Sequence, residues 1–308
     1  MGPPVANNTT DGVAEDRRVG SAADPGGSRL QFAATTDVGR ARARNEDAFC
    51  AEDLGARPGA VLLAVADGLG GHPGGDVASR VAVAALSEHV SANAPAALSW
   101  TDLLLAGFAA AHAAVRAAAA EQPELAGMAT TLVAAVLIDD WLYWAHVGDS
   151  RLYVAGVAGM RQVTVDHSPV GDLVREGVLT WAEARIHPLR SMLSRAVGFA
   201  AEVSPDAGAE RLVAGEWVLL VTDGLTAVVP AEQIEVAART AEEPDALARA
   251  LVAMAMAAGG PDNVTVVAAR VTSRESMAAD GGGAAAAVEP VQPAGDGWGL
   301  APAEHAGG

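Results

Sequence analysis

The sequence predicts an α+β protein, a four-layer αββα sandwich in which two antiparallel β-sheets pack together and helices cover their outer faces. Three observations lead there. Short apolar runs of strand length fill the middle of the chain, several joined closely enough to form hairpins. Helical patterns arrive in pairs, whereas a parallel sheet would need one after every strand. Finally, 308 residues at 51% hydrophobic can bury one large core or two smaller ones.

Residues 1–28 are polar and of low complexity, which predicts a disordered N-terminal tail. Strands follow near 30–36, 46–52 and 61–66, the last being the wholly apolar Val61-Leu-Leu-Ala-Val-Ala66. A helix starts at Asp76, a suitable N-cap, with Val77, Val81, Ala84 and Ala85 at helical spacing. A second helix covers about 101–121. Its apolar stretch, Leu103 to Ala120, is mostly Ala and carries His112 and Arg116, which predicts a helix too weak to span a bilayer. Residues 130–138, 141–147 and 151–155 read as a three-stranded meander with Asp139-Asp140 at its first turn. The polar segment 164–200 predicts an insertion of short helices. Strands near 202–212 and 216–222, helices in 231–240 and 244–258, and a strand at 263–271 complete a domain over 29–271. Residues 272–308 predict a second disordered tail.

Where apolar runs end, aspartates stand beside small or turn-forming residues: Asp67-Gly68, Asp149-Ser150, Asp223-Gly224 and Asp262-Asn263. Three of them follow strand-like runs, so their carboxylates would meet at a sheet rim. Carboxylates gathered this way repel one another unless a cation lies between them, and oxygen ligands suit hard ions such as Mg²⁺ or Mn²⁺. A nucleic-acid-binding role is disfavoured: the formal charge is −18, and the 20 basic residues, all Arg, form no large positive cluster. The N-terminal Met1-Gly-Pro-Pro-Val-Ala-Asn-Asn lacks the basic start and apolar stretch of a signal peptide, which with the composition predicts a cytoplasmic protein without a membrane role. Cys50 is the only cysteine. Six residues separate it from Arg57, and Glu52 and Asp53 would disfavour its thiolate, so a thiol-phosphatase loop is excluded and a structural role expected.

The motifs come in a fixed order: Thr36-Asp-Val-Gly-Arg-Ala-Arg-Ala-Arg-Asn-Glu-Asp47, Ala66-Asp-Gly-Leu-Gly-Gly-His72, Met128-Ala-Thr-Thr-Leu132, Val147-Gly-Asp-Ser-Arg151, Asp166-His-Ser168, His187-Pro-Leu-Arg-Ser191, Thr222-Asp-Gly224 and Gly259-Gly-Pro-Asp-Asn-Val-Thr265. Any one Asp-Gly pair is explained by a turn. Together, over about residues 30–271, they resemble the metal-dependent type 2C serine/threonine protein phosphatases, and the bacterial PPM-type members in particular.

That resemblance implies hydrolysis of phosphoserine and phosphothreonine on proteins by a water activated between two Mn²⁺ or Mg²⁺ ions, opposing bacterial Ser/Thr kinases. Asp67 would bridge both ions, the Gly68 carbonyl would bind one, and Asp223 and Asp262 would hold the other. Glu46 and Asp47 would orient waters around the ions, and Arg42 would grip the substrate phosphate through its planar fork. Asp149, with Asp223 and Ser191, would hold a third, weaker ion as in bacterial relatives; a turn aspartate is the competing reading. Segment 164–200 resembles the bacterial flap, a lid over the metal centre. Two departures stand out. Leu69 occupies the position where some members carry a general-acid His, leaving His72 three residues further on as a loop or solvent-facing residue or a catalytic one. Ala129 replaces the usual Gly before the Thr-Thr pair. The implied partners are phosphorylated proteins, including Ser/Thr kinases and their substrates, and the implied state is a monomer. Two other readings stay open: a catalytically silent, partner-binding member of the fold, and a metal-dependent hydrolase of small phosphorylated molecules.

Overall fold

The computed structural model describes residues 16–23, 29–69, 74–184, 186–189 and 192–271. In chain order the strands are β1 (Asp16–Ala23), β2 (Arg29–Asp37), β3 (Asp47–Asp53), β4 (Val61–Asp67), β5 (Leu132–Ile138), β6 (Trp141–Val147), β7 (Arg151–Gly156), β8 (Gly159–Gln162), β9 (Asp206–Arg211), β10 (Trp217–Val221) and β11 (Val264–Val271). The helices are α1 (Gly75–Asn93), α2 (Trp100–Glu121), α3 (Pro169–Arg175), α4 (Trp181–Ala184), α5 (Asp223–Thr226), α6 (Ala231–Thr240) and α7 (Pro244–Ala257). One sheet runs β1-β2-β11-β10-β7-β8, the other β3-β4-β5-β6-β9, and every pairing is antiparallel.

β4 shows how the layers are built. Both of its faces are buried, so it reads as a continuous apolar run, yet its side chains alternate between two environments. Val61, Leu63 and Val65 pack between the sheets with Phe32, Val133, Leu152, Leu220 and Val267. Leu62, Ala64 and Ala66 pack outward against Leu86 of α1 and Leu104 and Phe108 of α2. On the far side, Leu219 and Val266 meet Ile234 of α6 and Leu247 and Leu251 of α7. This is the expected αββα order. Asp67, at the end of β4, continues the face that Leu63 and Val65 turn toward the other sheet, so it stands where the inter-sheet core opens.

The structure corrects several expectations. Asp16–Ala23 lies within the expected N-terminal tail but forms β1, paired along its length with β2; residues 1–15, 24–28 and 272–308 lie outside the described residues. The expected meander is broken: β5 and β6 pair, but β7 joins the other sheet beside β10, so Gly148-Asp149-Ser150 is a crossing between sheets. Apolar periodicity alone cannot tell which sheet a strand enters. α1 is capped by Gly74 in a left-handed conformation, and Asp76 lies in the first turn, where its charge favours the helix N-terminus instead. α2 is capped by Ser99, whose hydroxyl accepts from the Asp102 amide. By length and hydropathy α2 would suffice to cross a membrane, against expectation. Here its Trp100, Leu103, Leu104, Phe108, Ala111 and Val115 are buried against the β3–β6 sheet and α1. The short elements β8 and α5 were not foreseen, and β9 starts at Asp206 rather than near 202. Cys50 is buried on β3, and burial pushes its thiol up to about 12, as suits a structural residue.

Candidate metal centre

A cavity of about 320 Å³ opens at the rim shared by the two sheets. Arg42, Glu46, Asp67, Gly68, Asp149, Asp223 and Asp262 line it. Arg42 and Glu46 come from the β2–β3 loop, Asp67 and Gly68 from the end of β4, and the other three from separate strand ends or loops. β3 and β4 place Asp47 directly opposite Asp67. β10 ends at Val221 and feeds Asp223 into the first turn of α5. Asp262 precedes β11, and Asp149 sits on the crossing between β6 and β7. Arg195, Leu193 and Phe199 from the returning flap segment close one side.

Hydroxyl and amide side chains fix these positions. The Thr131 hydroxyl accepts from the Asp67 amide at 2.9 Å and bonds the Ser150 hydroxyl at 2.7 Å, tying the Asp67 and Asp149 backbones together. The Thr130 hydroxyl donates to the Asp67 carbonyl, and Thr130 bridges Gly68 on one side and Val197 of the flap return on the other. Gly68 has to be glycine for space: a Cβ there would fall 2.1 Å from the Gly75 carbonyl oxygen. Asn263 organises the loop carrying Arg42 and Glu46. Its side-chain oxygen accepts from the Glu46 amide, and its nitrogen donates to the Val38 and Arg44 carbonyls.

Asp47 lies behind the cavity wall. Its Oδ2 accepts from Thr222 at 2.9 Å and Thr265 at 2.6 Å, while its buried Oδ1 has no hydrogen-bond partner. A buried carboxylate oxygen left unpaired is costly and asks for a donor or a cation-ordered water. Burial is the largest cause raising Glu46, Asp47, Asp67, Asp149 and Asp223. Asp47 is pushed up to about 7, Asp67 and Asp149 stand well above the ordinary carboxylate range, and Asp223 and Glu46 are raised. Asp67 and Asp223 are close enough to share a proton. Arg42 pairs with one of the cavity carboxylates, its Nη2 2.7 Å from Asp262 Oδ2.

Among the described residues no three His, Cys, Asp or Glu side chains close on a single point. The carboxylates instead face one another across a shared, all-oxygen cavity, where ions would take few protein ligands each and keep waters, a donor set that suits Mg²⁺ or Mn²⁺. The residues thus fit divalent ions, and a test follows. Without metal, Asp47 must gain its proton to be comfortable: the ordinary value is 3.8 and the folded value about 7. Its stabilising protonation is complete below about pH 4 and lost as pH rises through 7. In chelator, the thermal midpoint should therefore fall between pH 5 and 8, and Mn²⁺ should raise it most at pH 8. A metal-free midpoint that climbs with pH across this range would contradict the assignment.

The structure brings Arg42, Glu46, Asp67, Gly68, Asp149, Asp223 and Asp262 together; Asp47 stands just behind them, while Ser191 and His72 lie outside the described residues. Ala129 is buried with its carbonyl accepting from Leu69, and its methyl sits on no cavity wall. Sequence reasoning missed the supporting Thr130, Thr131, Thr222, Thr265 and Asn263, although all five lie within the quoted motifs. Polar residues interrupting β-like runs were the signal.

The sequence profile of the Protein phosphatase 2C family matches residues 39–256. The chain is 40% identical over 245 residues to the serine/threonine protein phosphatase PstP of Mycobacterium tuberculosis, covering 79% of this chain and 45% of that protein. It thus spans less than half the length of this relative. It is 35% identical to the serine/threonine phosphatase stp of Listeria innocua over 75% of this chain and 92% of that one. The solved catalytic domain of PstP, in complex with two manganese ions, superposes with a TM-score of 0.70 at 37% identity, covering 79% of this chain and 99% of that one.

Proposed function

The chain belongs to the protein phosphatase 2C family, and we propose that it hydrolyses phosphoserine and phosphothreonine on proteins with the help of divalent metal ions. The observation that carries this reading is the cavity in which Asp67, Asp149, Asp223 and Asp262 converge, with Arg42 and Arg195 on its walls. Supporting it, a similar catalytic domain is solved with two manganese ions.

Asp67 would hold both core ions, with the Gly68 carbonyl on one and Asp223 and Asp262 on the other. When bound, two such ions supply an activated water and screen the charge of the phosphoryl group. Glu46 reaches the cavity from the side, and Asp47 would orient water through its free Oδ1. Arg42 would turn its guanidinium to the substrate phosphate. Leu193 and Phe199 make one wall apolar. Mg²⁺ serves as well as Mn²⁺ for this oxygen donor set. The substrates are phosphoproteins, including Ser/Thr kinases and their targets, in bacterial signalling. We place the protein in the cytoplasm as a monomer, in keeping with its single buried, unpaired Cys50.

Phosphate release from a phosphothreonine peptide should require Mn²⁺ or Mg²⁺ and exceed release from a panel of nucleotides and small phosphorylated metabolites. Turnover confined to the small molecules would replace the protein substrate. No metal-dependent turnover on either panel would favour a silent, partner-binding member.

Asp149, with Ser191, would take a third and weaker ion. Asp149→Ala should then leave two ions bound yet lower kcat, and raising Mn²⁺ should restore part of it, because a weak site fills by mass action. A metal titration of both proteins decides this; identical kcat values would return Asp149 to a plain turn residue.

A further inference from the structure

We propose that His167 is a positioning residue for the Asp149 carboxylate, clamping the Gly148-Asp149 turn through both hydrogen-bonding groups of Gly148 while Asp206 sets its tautomer. The inference rests on the reading above only for what Asp149 is aimed at. The turn is where the chain leaves one sheet for the other, so no strand ladder holds it. Gly148 has φ 111°, and a Cβ there would fall 2.6 Å from the Thr131 side chain. Two bonds from one residue supply the missing hold. The Gly148 N–H donates to His167 Nδ1 at 3.1 Å, and the His167 N–H donates to the Gly148 carbonyl at 2.8 Å.

The ring's proton follows from its partners. Nδ1 accepts, so a neutral imidazole carries hydrogen on Nε2, which lies 3.1 Å from Asp206 Oδ2. Arg195 Nη1 donates to the other Asp206 oxygen at 2.7 Å and lies 3.2 Å from Nε2, so two donors share one carboxylate. Burial holds His167 below its ordinary pKa, in keeping with a neutral ring. Behind it, the fully buried His146 ring lies tilted against it with centroids 4.5 Å apart. Burial lowers His146 to about 3, so it too is uncharged. The flap return joins the same residue: the Ser194 N–H donates to the His167 carbonyl at 2.8 Å, and neighbouring Arg195 lines the cavity. His167 therefore couples the flap, edge strand β9 and the Asp149 turn.

Two substitutions separate its bonds. His167→Asn places an oxygen near Nδ1 and keeps an acceptor for Gly148 but cannot reach Asp206. His167→Gln places an amide N–H near Nε2 and loses the acceptor. In calorimetric Mn²⁺ titrations, His167→Gln should weaken the weakest ion roughly 10-fold, as loss of a ligand's orienting partner does, with the tighter ions unmoved. His167→Asn should recover most of that. Hydrogen exchange at the Gly148 amide should quicken in His167→Gln and stay near wild type in His167→Asn, and nitrogen NMR of wild type should show the Nε2–H tautomer. Equal effects of the two variants, loss of the tight ions, an Nδ1–H tautomer, or unchanged Gly148 exchange in His167→Gln would overturn the clamp. If wild type takes up only two ions, the third-ion reading fails by itself, and the exchange rates and tautomer still decide the clamp.

Discussion

Replacing Asp67 or Asp223 with alanine should abolish metal-dependent phosphate release from a phosphothreonine peptide, a fall of at least about 10³-fold in kcat. The size follows from what the ions supply: several kcal/mol of charge stabilisation, at 1.36 kcal/mol per tenfold in rate. Both carboxylates face the cavity close enough to share a proton, so under the proposed reading losing either would remove a ligand from the centre of the site. Excess chelator should reproduce the loss in wild type, and added Mn²⁺ should reverse it there but not in the variants. Stability should move the other way. In the metal-free protein these groups are held above the ordinary carboxylate range by burial and by each other, so deleting one relieves repulsion. The metal-free thermal midpoint at pH 8 should thus rise in Asp67→Ala or Asp223→Ala while activity vanishes. That opposition separates a lost metal site from a misfolded chain. Full turnover in excess chelator would sink the metal assignment.

The site was more legible in the sequence than the sheet connections around it. Asp67, Asp149 and Asp223 each end an apolar run, and a carboxylate in that position has few structural uses beyond turn chemistry. Their number and order pointed to a carboxylate cluster, and these residues do line one cavity. What could not be read was how the strands distribute. β6 and β7 look like hairpin neighbours because three residues of turn-forming type, Gly148-Asp149-Ser150, join two strand-like runs, yet the strands belong to different sheets. The determinants are non-local. Leu152 and Val154 pack between the sheets while Tyr153 and Ala155 face the α6–α7 side, a division set by partners far along the chain. β1 was missed for a related reason: the stretch 17–21 is polar and largely exposed, and an edge strand needs only the ladder of β2 to form. His167 and Asp206 were invisible as a pair because 38 intervening residues, the flap among them, separate them in sequence.

Arg42→Ala should raise KM for a phosphopeptide and leave kcat within a few-fold of wild type, because a charge-assisted contact to phosphate contributes about 1.5–3 kcal/mol. That is roughly 10- to 150-fold in kcat/KM, read mostly in binding. The structure adds a second, opposite effect. The Arg42 guanidinium lies 2.7 Å from Asp262 Oδ2, on a carboxylate that metal would need under the proposed reading. An ion binding Asp262 must displace that hydrogen bond, and Arg42 is then free to meet the phosphate. The pair is open to solvent, 41% and 31% exposed at the two side chains, so its worth is at most about 1 kcal/mol. Removing Arg42 should accordingly tighten Mn²⁺ binding by no more than about fivefold while it weakens substrate. Calorimetric Mn²⁺ titration of the metal-free variant and steady-state kinetics at saturating metal read the two effects separately. An unchanged KM with a collapsed kcat would move Arg42 from substrate binding to stabilising the transition state. Weaker rather than tighter Mn²⁺ binding would show that its contact with Asp262 builds the metal site instead of competing for it.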